Sequence, residues 1–215
     1  MNPKVKKLTT LGMLAAIAYV VMLVGRFPLV LFLSYDPKDV VIVIAGFLYG
    51  PMSSFLISAT VSLVEMFTVS DTGLIGCVMN ILSTCSFACT AAFLYKKHRS
   101  LKGAVAGLIA GVAAMVAVML LWNYLITPLY METPRQVVAQ LLLPAFLPFN
   151  LIKGGLNAAI AMLLYKPVVG ALRRSRLLPP APEGQAGHIK PGVMLVAAVV
   201  LITFVLLALV LAGVI

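Results

Sequence analysis

The sequence predicts an all-α, polytopic membrane protein with a six-helix core and one appended C-terminal transmembrane helix. Of its 215 residues, 62% are hydrophobic and only 10% are charged, and the mean hydropathy is +1.11. One soluble core of this size cannot hide so much apolar surface, so lipid must solvate much of it. Runs of about 20 apolar residues, the length that crosses a bilayer, recur along the chain.

Six of these runs are long enough to cross a membrane, and one is short. The long runs are 8–25, 51–69, 74–95, 104–126, 148–170 and 193–214, and the short one is 37–50. The short run begins like a helix, since Asp36 can cap it, Pro37 suits the first helical position and Asp39 lies in the first turn. We therefore expect seven membrane helices, and we favour capping over ligand binding for Asp36 and Asp39.

The chain divides into a core and a separate last helix. Residues 1–176 hold the six helices of the predicted core. Residues 177–192 are rich in proline and glycine, which is the composition of a flexible linker. Residues 193–215 then form an additional transmembrane helix.

The net charge of +10 is distributed in short basic runs between the apolar stretches. Nucleic-acid binding needs basic residues gathered on one folded face, so this pattern argues against it. Cytoplasmic loops of membrane proteins collect Lys and Arg. A cytoplasmic N-terminus places the basic runs at 4–7, 96–102 and 173–176 inside and leaves four acids on or near outer loops: Asp36, Asp39, Asp71 and Glu132.

The three cysteines lie in one apolar segment, at Cys77, Cys85 and Cys89. Their odd number and their spacing indicate neither a disulfide framework nor a zinc site. We expect them to be small buried residues, and we predict no metal site.

Three polar side chains lie at a similar depth in three successive spans. Glu65, Asn80 and Asn123 fall near the outer ends of their helices, within roughly 10 Å of the boundary at a rise of about 1.5 Å per residue. Ionisable groups inside a span cost about 2.5–3.5 kcal/mol on insertion scales, so they need a functional or structural reason. Asn123 taken alone is an interhelical hydrogen bond as often as a ligand contact.

The sixth span adds a polar face at the same depth. Asn150, Lys153 and Asn157 follow at spacing i, i+3 and i+7, so they share one side of their helix. An ion pair between Lys153 and Glu65 is one interpretation of the buried lysine. A binding face is the favoured one, because amides stack above and below it.

The first loop completes a pocket open to the outside. Residues 26–35 are apolar and aromatic, where a solvated loop should be polar. The run after it has about 14 residues, or roughly 21 Å of helix, and a bilayer core is about 30 Å thick. Irregular backbone at that depth is tolerated where it lines a cavity. We therefore expect the loop to dip inward and form one wall.

At these residues the sequence resembles the substrate-binding S components of energy-coupling factor (ECF) vitamin transporters, specifically the riboflavin-specific type. The resemblance runs from about residue 8 to residue 174. Its most specific parts are PFNLIKG at 148–154, NY at 123–124 before PLY at 128–130, and LSYD at 33–36.

The resemblance implies a six-helix core in the bacterial cell membrane, with an outward pocket for the isoalloxazine and ribityl groups of riboflavin. Amides and a lysine can hydrogen-bond such a ligand, and Phe32 with its neighbours can cover the flat ring. Riboflavin is then a transported ligand, with no catalytic cofactor. The implied substrate-binding residues are Leu33, Tyr35, Asp36, Glu65, Asn80, Asn123, Tyr124, Asn150, Lys153 and Asn157.

The resemblance also implies partners. S components work with a membrane coupling subunit and two ATPase subunits, and this sequence has no GxxxxGK[ST] loop of its own. Gly12, Ala15 and Ala16 would permit close helix packing on the coupling subunit. The chain departs from the family at Glu65, where the riboflavin type is expected to have a neutral or amide residue, and in its seventh helix.

Three alternatives stay open at this point. A membrane enzyme could use Glu65 and Lys153 as acid and base, but His98 and His188 fall in cytoplasmic loops and no nucleophile neighbours a base. A structural membrane protein would tolerate loss of Lys153. The ligand could also be another vitamin, or another flavin such as FMN, whose phosphate would want a second cation that Arg26 or Lys38 could supply.

Overall fold

The computed structural model describes residues 2–30, 33–70, 72–178 and 191–214. Phe32, Asp71 and most of the predicted linker lie outside these residues. The helices are α1 (Pro3–Gly25), α2 (Lys38–Tyr49), α3 (Pro51–Thr68), α4 (Gly73–Lys97), α5 (Leu101–Leu125), α6 (Thr127–Tyr130), α7 (Arg135–Leu141), α8 (Leu147–Arg174) and α9 (Pro191–Leu211). Two short strands, β1 (Phe27–Val30) and β2 (Leu33–Tyr35), lie between α1 and α2.

The predicted fold class is confirmed. Among the described residues, six helical stretches are long and apolar enough to cross a membrane, and they correspond to the six long runs of the sequence. The fifth of them is longer than predicted. It extends over Arg135–Arg174, because a π-helical segment at Leu142–Phe146 joins α7 to α8.

The short helix α2 is buried in the middle of the bundle. It has 12 residues, or about 18 Å of helix. It packs against α1, α3, α4 and α8, and its residues Val40, Ile42, Val43 and Ile44 are all buried. A helix surrounded by other helices is apolar on every side. It does not have to match the bilayer thickness, because the neighbouring helices meet the lipid.

The hairpin of β1 and β2 occupies the membrane depth that α2 leaves unfilled. Its strands are antiparallel, with Phe27 opposite Tyr35 and Pro28 opposite Ser34. Pairing satisfies backbone groups that lipid could not, which makes extended backbone tolerable there. The sequence predicted a loop dipping inward, and the structure shows that this segment is a hairpin.

The predicted capping role of Asp36 and Asp39 was wrong. Helix α2 begins at Lys38, and Pro37 at its N-cap offers no side-chain hydrogen bond. Asp39 instead accepts hydrogen bonds from Thr84 Oγ1 at 2.6 Å and Asn157 Nδ2 at 3.3 Å. Capping is a local interaction, whereas these partners come from α4 and α8 and were not visible in the sequence around the aspartates.

Two glycines on α5 allow it to lie directly against α4. A Cβ atom at Gly107 would stand 2.7 Å from the carbonyl oxygen of Ala91, and one at Gly111 would stand 2.5 Å from that of Phe87. Only glycine permits the two backbones to approach this closely. Small residues allow the same close approach in membrane helix pairs generally.

We expect Gly111→Val to destabilise the protein, because the backbone oxygen that its Cβ would meet cannot move aside. Overpacking of this kind costs typically about 1–3 kcal/mol. Heating the detergent-solubilised protein and following its elution by size exclusion should show a lower unfolding midpoint. Gly170→Ala is the matched control, since a Cβ there meets nothing within 4 Å. Equal midpoints for the two variants would contradict the close packing of α4 and α5.

Candidate substrate site

A cavity of about 120 Å³ opens at the end of the bundle that holds the hairpin. The hairpin, α3, α4, α5, α6 and α8 all contribute to its walls. Its lining combines carboxylates and cations with amides, hydroxyls and a few large apolar side chains: Arg26, Leu33, Ser34, Asp36, Glu65, Ser70, Thr72, Met79, Asn80, Ser83, Met119, Asn123, Tyr130, Phe149, Asn150 and Lys153.

Glu65 of α3 forms the first of two ion-pair groups at this cavity. Lys38 Nζ donates to Glu65 Oε2 at 2.5 Å, and Arg26 Nη1 lies 3.5 Å from Glu65 Oε1. The Lys38 side chain is only 1% exposed, whereas that of Arg26 is 37% exposed. A buried lysine is stable in its charged form only beside a partner carboxylate. Glu65 therefore stabilises buried Lys38 as well as lining the cavity.

Lys153 of α8 forms the second group. Its Nζ lies 3.4 Å from Asp36 Oδ2 and 3.9 Å from Asp39 Oδ2. Lys38 Nζ, 3.8 Å from Asp36 Oδ1, joins the two groups. An ion pair between Lys153 and Glu65 was one interpretation of the sequence, and that pairing was wrong. The hairpin carries Asp36 to α8, and Glu65 faces Lys38 instead.

The two groups together are electrically balanced. Three carboxylates and three cations meet in one buried network: Asp36, Asp39, Glu65, Arg26, Lys38 and Lys153. Asp36 Oδ1 is buried without a hydrogen-bond partner among the described residues. Asp36 itself lines the cavity, so the network brings a carboxylate with an unfilled acceptor position to the cavity wall while its formal charge is zero.

Tyr35 and Asn157 support this network from behind. Tyr35 Oη donates to Asn157 Oδ1 at 2.9 Å, and Asn157 in turn donates to Asp39.

The two cavity amides are oriented by their own helices. Asn123 Nδ2 donates to the Met119 carbonyl at 2.7 Å, and its Oδ1 accepts from Thr127. Asn150 Nδ2 donates to the Phe146 carbonyl at 2.8 Å. Asn123 thus bonds to its own helix and to the adjoining short helix α6, and among the described residues it makes no hydrogen bond to another membrane span.

Comparison with known proteins identifies the family. Residues 6–165 match the family described as "ECF transporter, substrate-specific component". The riboflavin transporter RibU of Staphylococcus aureus is 31% identical over 79% of this chain and 93% of its own length, and the riboflavin transporter FmnP of Bacillus subtilis is 35% identical over 75% and 91%. This chain belongs to the ECF substrate-specific components, or S components. Membership makes it a transport protein and not an enzyme.

A solved structure agrees with this assignment of the fold. The S component of a bacterial ECF transporter superimposes with a TM-score of 0.67 at 32% sequence identity. The match covers 99% of that chain but 80% of this one.

Seven of the ten predicted binding residues of this S component line the cavity: Leu33, Asp36, Glu65, Asn80, Asn123, Asn150 and Lys153. Tyr35 and Asn157 are buried behind it. Tyr124 points elsewhere and is 38% exposed, with the Arg135 guanidinium 5.6 Å from its ring centroid. Adjacent positions on α5 face different directions, so the motif at 123–124 brings only its asparagine to the cavity.

Sequence reasoning missed several lining residues of the S component. Ser70 and Thr72 lie between α3 and α4, and neither belongs to a recognisable motif. Ser83 was detectable, because it lies one turn after Asn80 on α4. Met79 and Met119 were indistinguishable from other apolar residues of their spans.

We expect Lys38→Met to destabilise the S component strongly, because it leaves Glu65 buried with only the half-exposed Arg26. Removing one partner of a buried ion pair costs about 3–5 kcal/mol. The double variant Lys38→Met/Glu65→Gln should recover part of this loss, since it removes both charges. Thermal unfolding midpoints of the four proteins in the mutant cycle measure the coupling, and strictly additive effects would contradict a direct pair.

Proposed function

We propose that this S component captures riboflavin outside the cell and delivers it as the substrate-binding subunit of an ATP-driven ECF importer. The observation that carries the proposal is the charge-balanced, hydroxyl- and amide-rich cavity beside the hairpin. The names of the two curated relatives support riboflavin as the ligand.

The cavity offers the two kinds of surface that riboflavin requires. The ring system is flat and apolar on its faces, and Leu33, Met79 and Phe149 supply apolar surface for it. The ribityl chain carries hydroxyls, which can donate to Asp36 Oδ1, an oxygen without a hydrogen bond among the described residues, and accept from Lys153. A ligand with one apolar face and several hydroxyls therefore fits this lining.

Charge balance favours riboflavin over FMN. The phosphate of FMN carries about −1.5 to −2 charges at pH 7 and would need a cation of its own. Lys38 is committed to Glu65 at 2.5 Å, and Arg26 also lies within 3.5 Å of Glu65. A phosphate would have to compete with these carboxylates, whereas neutral riboflavin leaves the ion pairs in place.

The size of the cavity implies movement on binding. Pockets for ligands of this size typically measure about 300–1,000 Å³, and the cavity measures about 120 Å³. The hairpin is the wall built from the shortest elements, with strands of four and three residues. In our proposal it moves outward to admit the ligand and returns over it.

The distribution of charge supports an orientation with the N-terminus in the cytoplasm. At the end of the bundle opposite the cavity, the described residues include a dense set of cations: Lys4, Lys6, Lys7, Lys96, Lys97, Arg99, Lys102, Lys166, Arg173, Arg174 and Arg176. Such residues mark the cytoplasmic side of membrane proteins. The cavity then faces outward, as capture of an external ligand requires.

The predicted packing face on α1 is accessible to a partner. Gly12 and Ala16 are exposed and Ala15 is half-buried, and a Cβ at Gly12 would meet nothing within 4 Å. In our proposal the coupling subunit packs here, with two ATPase subunits supplying the energy.

Titration of the purified, detergent-solubilised protein with riboflavin, followed by quenching of flavin fluorescence, tests the proposal. We expect saturable quenching, and at least about tenfold weaker affinity for Lys153→Met and Asn150→Ala, because a hydrogen bond involving a charged group is worth about 1.5–3 kcal/mol. Lys102→Met, on the opposite end of the bundle, is the matched control. Absence of quenching by the unaltered protein would reassign the ligand.

Two tyrosines, one in the cavity lining and one outside it, test where the ligand binds. Tyr130→Ala should weaken riboflavin binding, because Tyr130 lines the cavity. Tyr124→Ala, six positions earlier in sequence, should leave the dissociation constant within about twofold, because Tyr124 lies outside the cavity lining. Equal losses in the same titration would place the ligand elsewhere.

The double variant Gly12→Leu/Ala16→Leu should separate assembly from binding. Its bulky side chains would block close approach by a partner helix without disturbing the chain's own packing, since Gly12 faces open space. We expect normal riboflavin affinity in detergent but loss of ATP-dependent uptake and of co-purification with the coupling subunit. Undiminished uptake would exclude this face as the docking surface.

A further inference from the structure

The last helix, α9, lies outside the part of the chain that resembles known S components. The family match ends at residue 165, and the solved structure that matches over 99% of its own length covers only 80% of this chain. Nevertheless α9 is not isolated, because it packs along α8 and also contacts β1 of the hairpin.

One face of α9 makes this packing. Leu201 and Phe204 are half-buried and Ala208 is 5% exposed, at helical spacing i, i+3 and i+7. The intervening residues, such as Ile202 and Leu206, are at least half-exposed and suit lipid. The helix therefore has one protein-facing side and one lipid-facing side.

Phe204 lies directly on α8 beside the substrate site. A Cβ atom added at Gly155 would overlap the Phe204 ring, so the ring occupies the space that this glycine leaves. Gly155 is two residues after Lys153 on the same helix. The Phe204 ring thus packs on α8 at the same depth as the ion-pair network, but on a different side of α8.

The same face reaches both strands of the hairpin. Ala208 is buried in one apolar cluster with Leu29 of β1, Tyr35 of β2, and Ile152 and Leu156 of α8. Phe204 and Leu201 pack against this cluster. A two-stranded hairpin is at best marginally stable alone and needs a packing partner, and α9 supplies part of that partner surface.

We propose that α9 positions the hairpin against α8 and thereby slows both release and entry of the ligand. This inference rests on the proposed riboflavin site. Because the hairpin must move for a ligand larger than the cavity, apolar contacts that hold it closed add to the barrier for opening. Phe204, Leu201 and Ala208 act through the hairpin and touch no ligand, so they are positioning residues.

The test compares two double variants of the full-length protein. Leu201→Ala/Phe204→Ala removes the protein-facing contacts, and Ile202→Ala/Leu206→Ala removes similar apolar groups from the lipid-facing side. Release of bound riboflavin is followed by the return of its fluorescence on dilution. We expect about tenfold faster release from the first variant, a loss of about 1.4 kcal/mol, and less than twofold change from the second.

A second measurement needs no riboflavin. Val30→Cys places a thiol on β1 against the apolar cluster, in a background in which Cys77, Cys85 and Cys89 are replaced by alanine. Maleimide labelling of this thiol should be faster in the Leu201→Ala/Phe204→Ala variant than in the lipid-face control. Phe204→Leu, which keeps an apolar group on Gly155, should restore most of the slow labelling and the slow release.

The outcomes separate this inference from the proposed function. If the unaltered protein binds no riboflavin, the proposed ligand fails while the labelling rates still measure what α9 does to the hairpin. If both double variants release riboflavin and label Val30→Cys at equal rates, α9 has no positioning role. Should the interface double variant elute as an aggregate, the single variant Phe204→Ala compared with Leu206→Ala decides by the same two rates, and equal rates for these two variants would likewise exclude the positioning role.

Discussion

Lys153 on α8 binds together parts of the chain that lie more than a hundred residues apart. It faces Asp36 at the end of the hairpin and Asp39 in the first turn of α2, and Lys38 extends the network to Glu65 on α3. In a low-dielectric interior each of these charges is tolerable only beside its partners. The positions of the hairpin, α2, α3 and α8 are therefore mutually constrained, and the cavity takes its shape from that constraint.

The same network decides what kind of ligand the site suits. Its charges cancel, so little net field attracts an anion, and selectivity must come from hydrogen bonds and shape. Asp39 is held by Thr84, Asn157 and Lys153 and is fully buried, which makes it structural. Asp36 lines the cavity, and its Oδ1 accepts no hydrogen bond among the described residues, which makes it the carboxylate best placed to meet a hydroxyl. Two aspartates three residues apart thus serve different purposes because their surroundings differ.

The wall and the floor of the cavity are held together by different interactions. The floor is formed by buried ion pairs and by helices in close backbone contact, such as α4 and α5 at Gly107 and Gly111. The wall is a short hairpin whose stability comes from packing on α8 and α9. In our proposal the S component holds and later releases its ligand through this hairpin, because the described residues of the hairpin lack the buried ion pairs and close backbone contacts of the floor.

Sequence alone determined the class, the spans and the depth of the polar residues, because hydropathy and helical spacing are local properties. It placed Glu65, Asn80, Asn123, Asn150 and Lys153 at one level, and all five line the cavity. Tertiary structure alone decided the pairing of Lys38 with Glu65, the roles of Asp36 and Asp39, and the outward turn of Tyr124. These depend on which elements become neighbours, and a buried charge selects its partner by distance in space rather than along the chain.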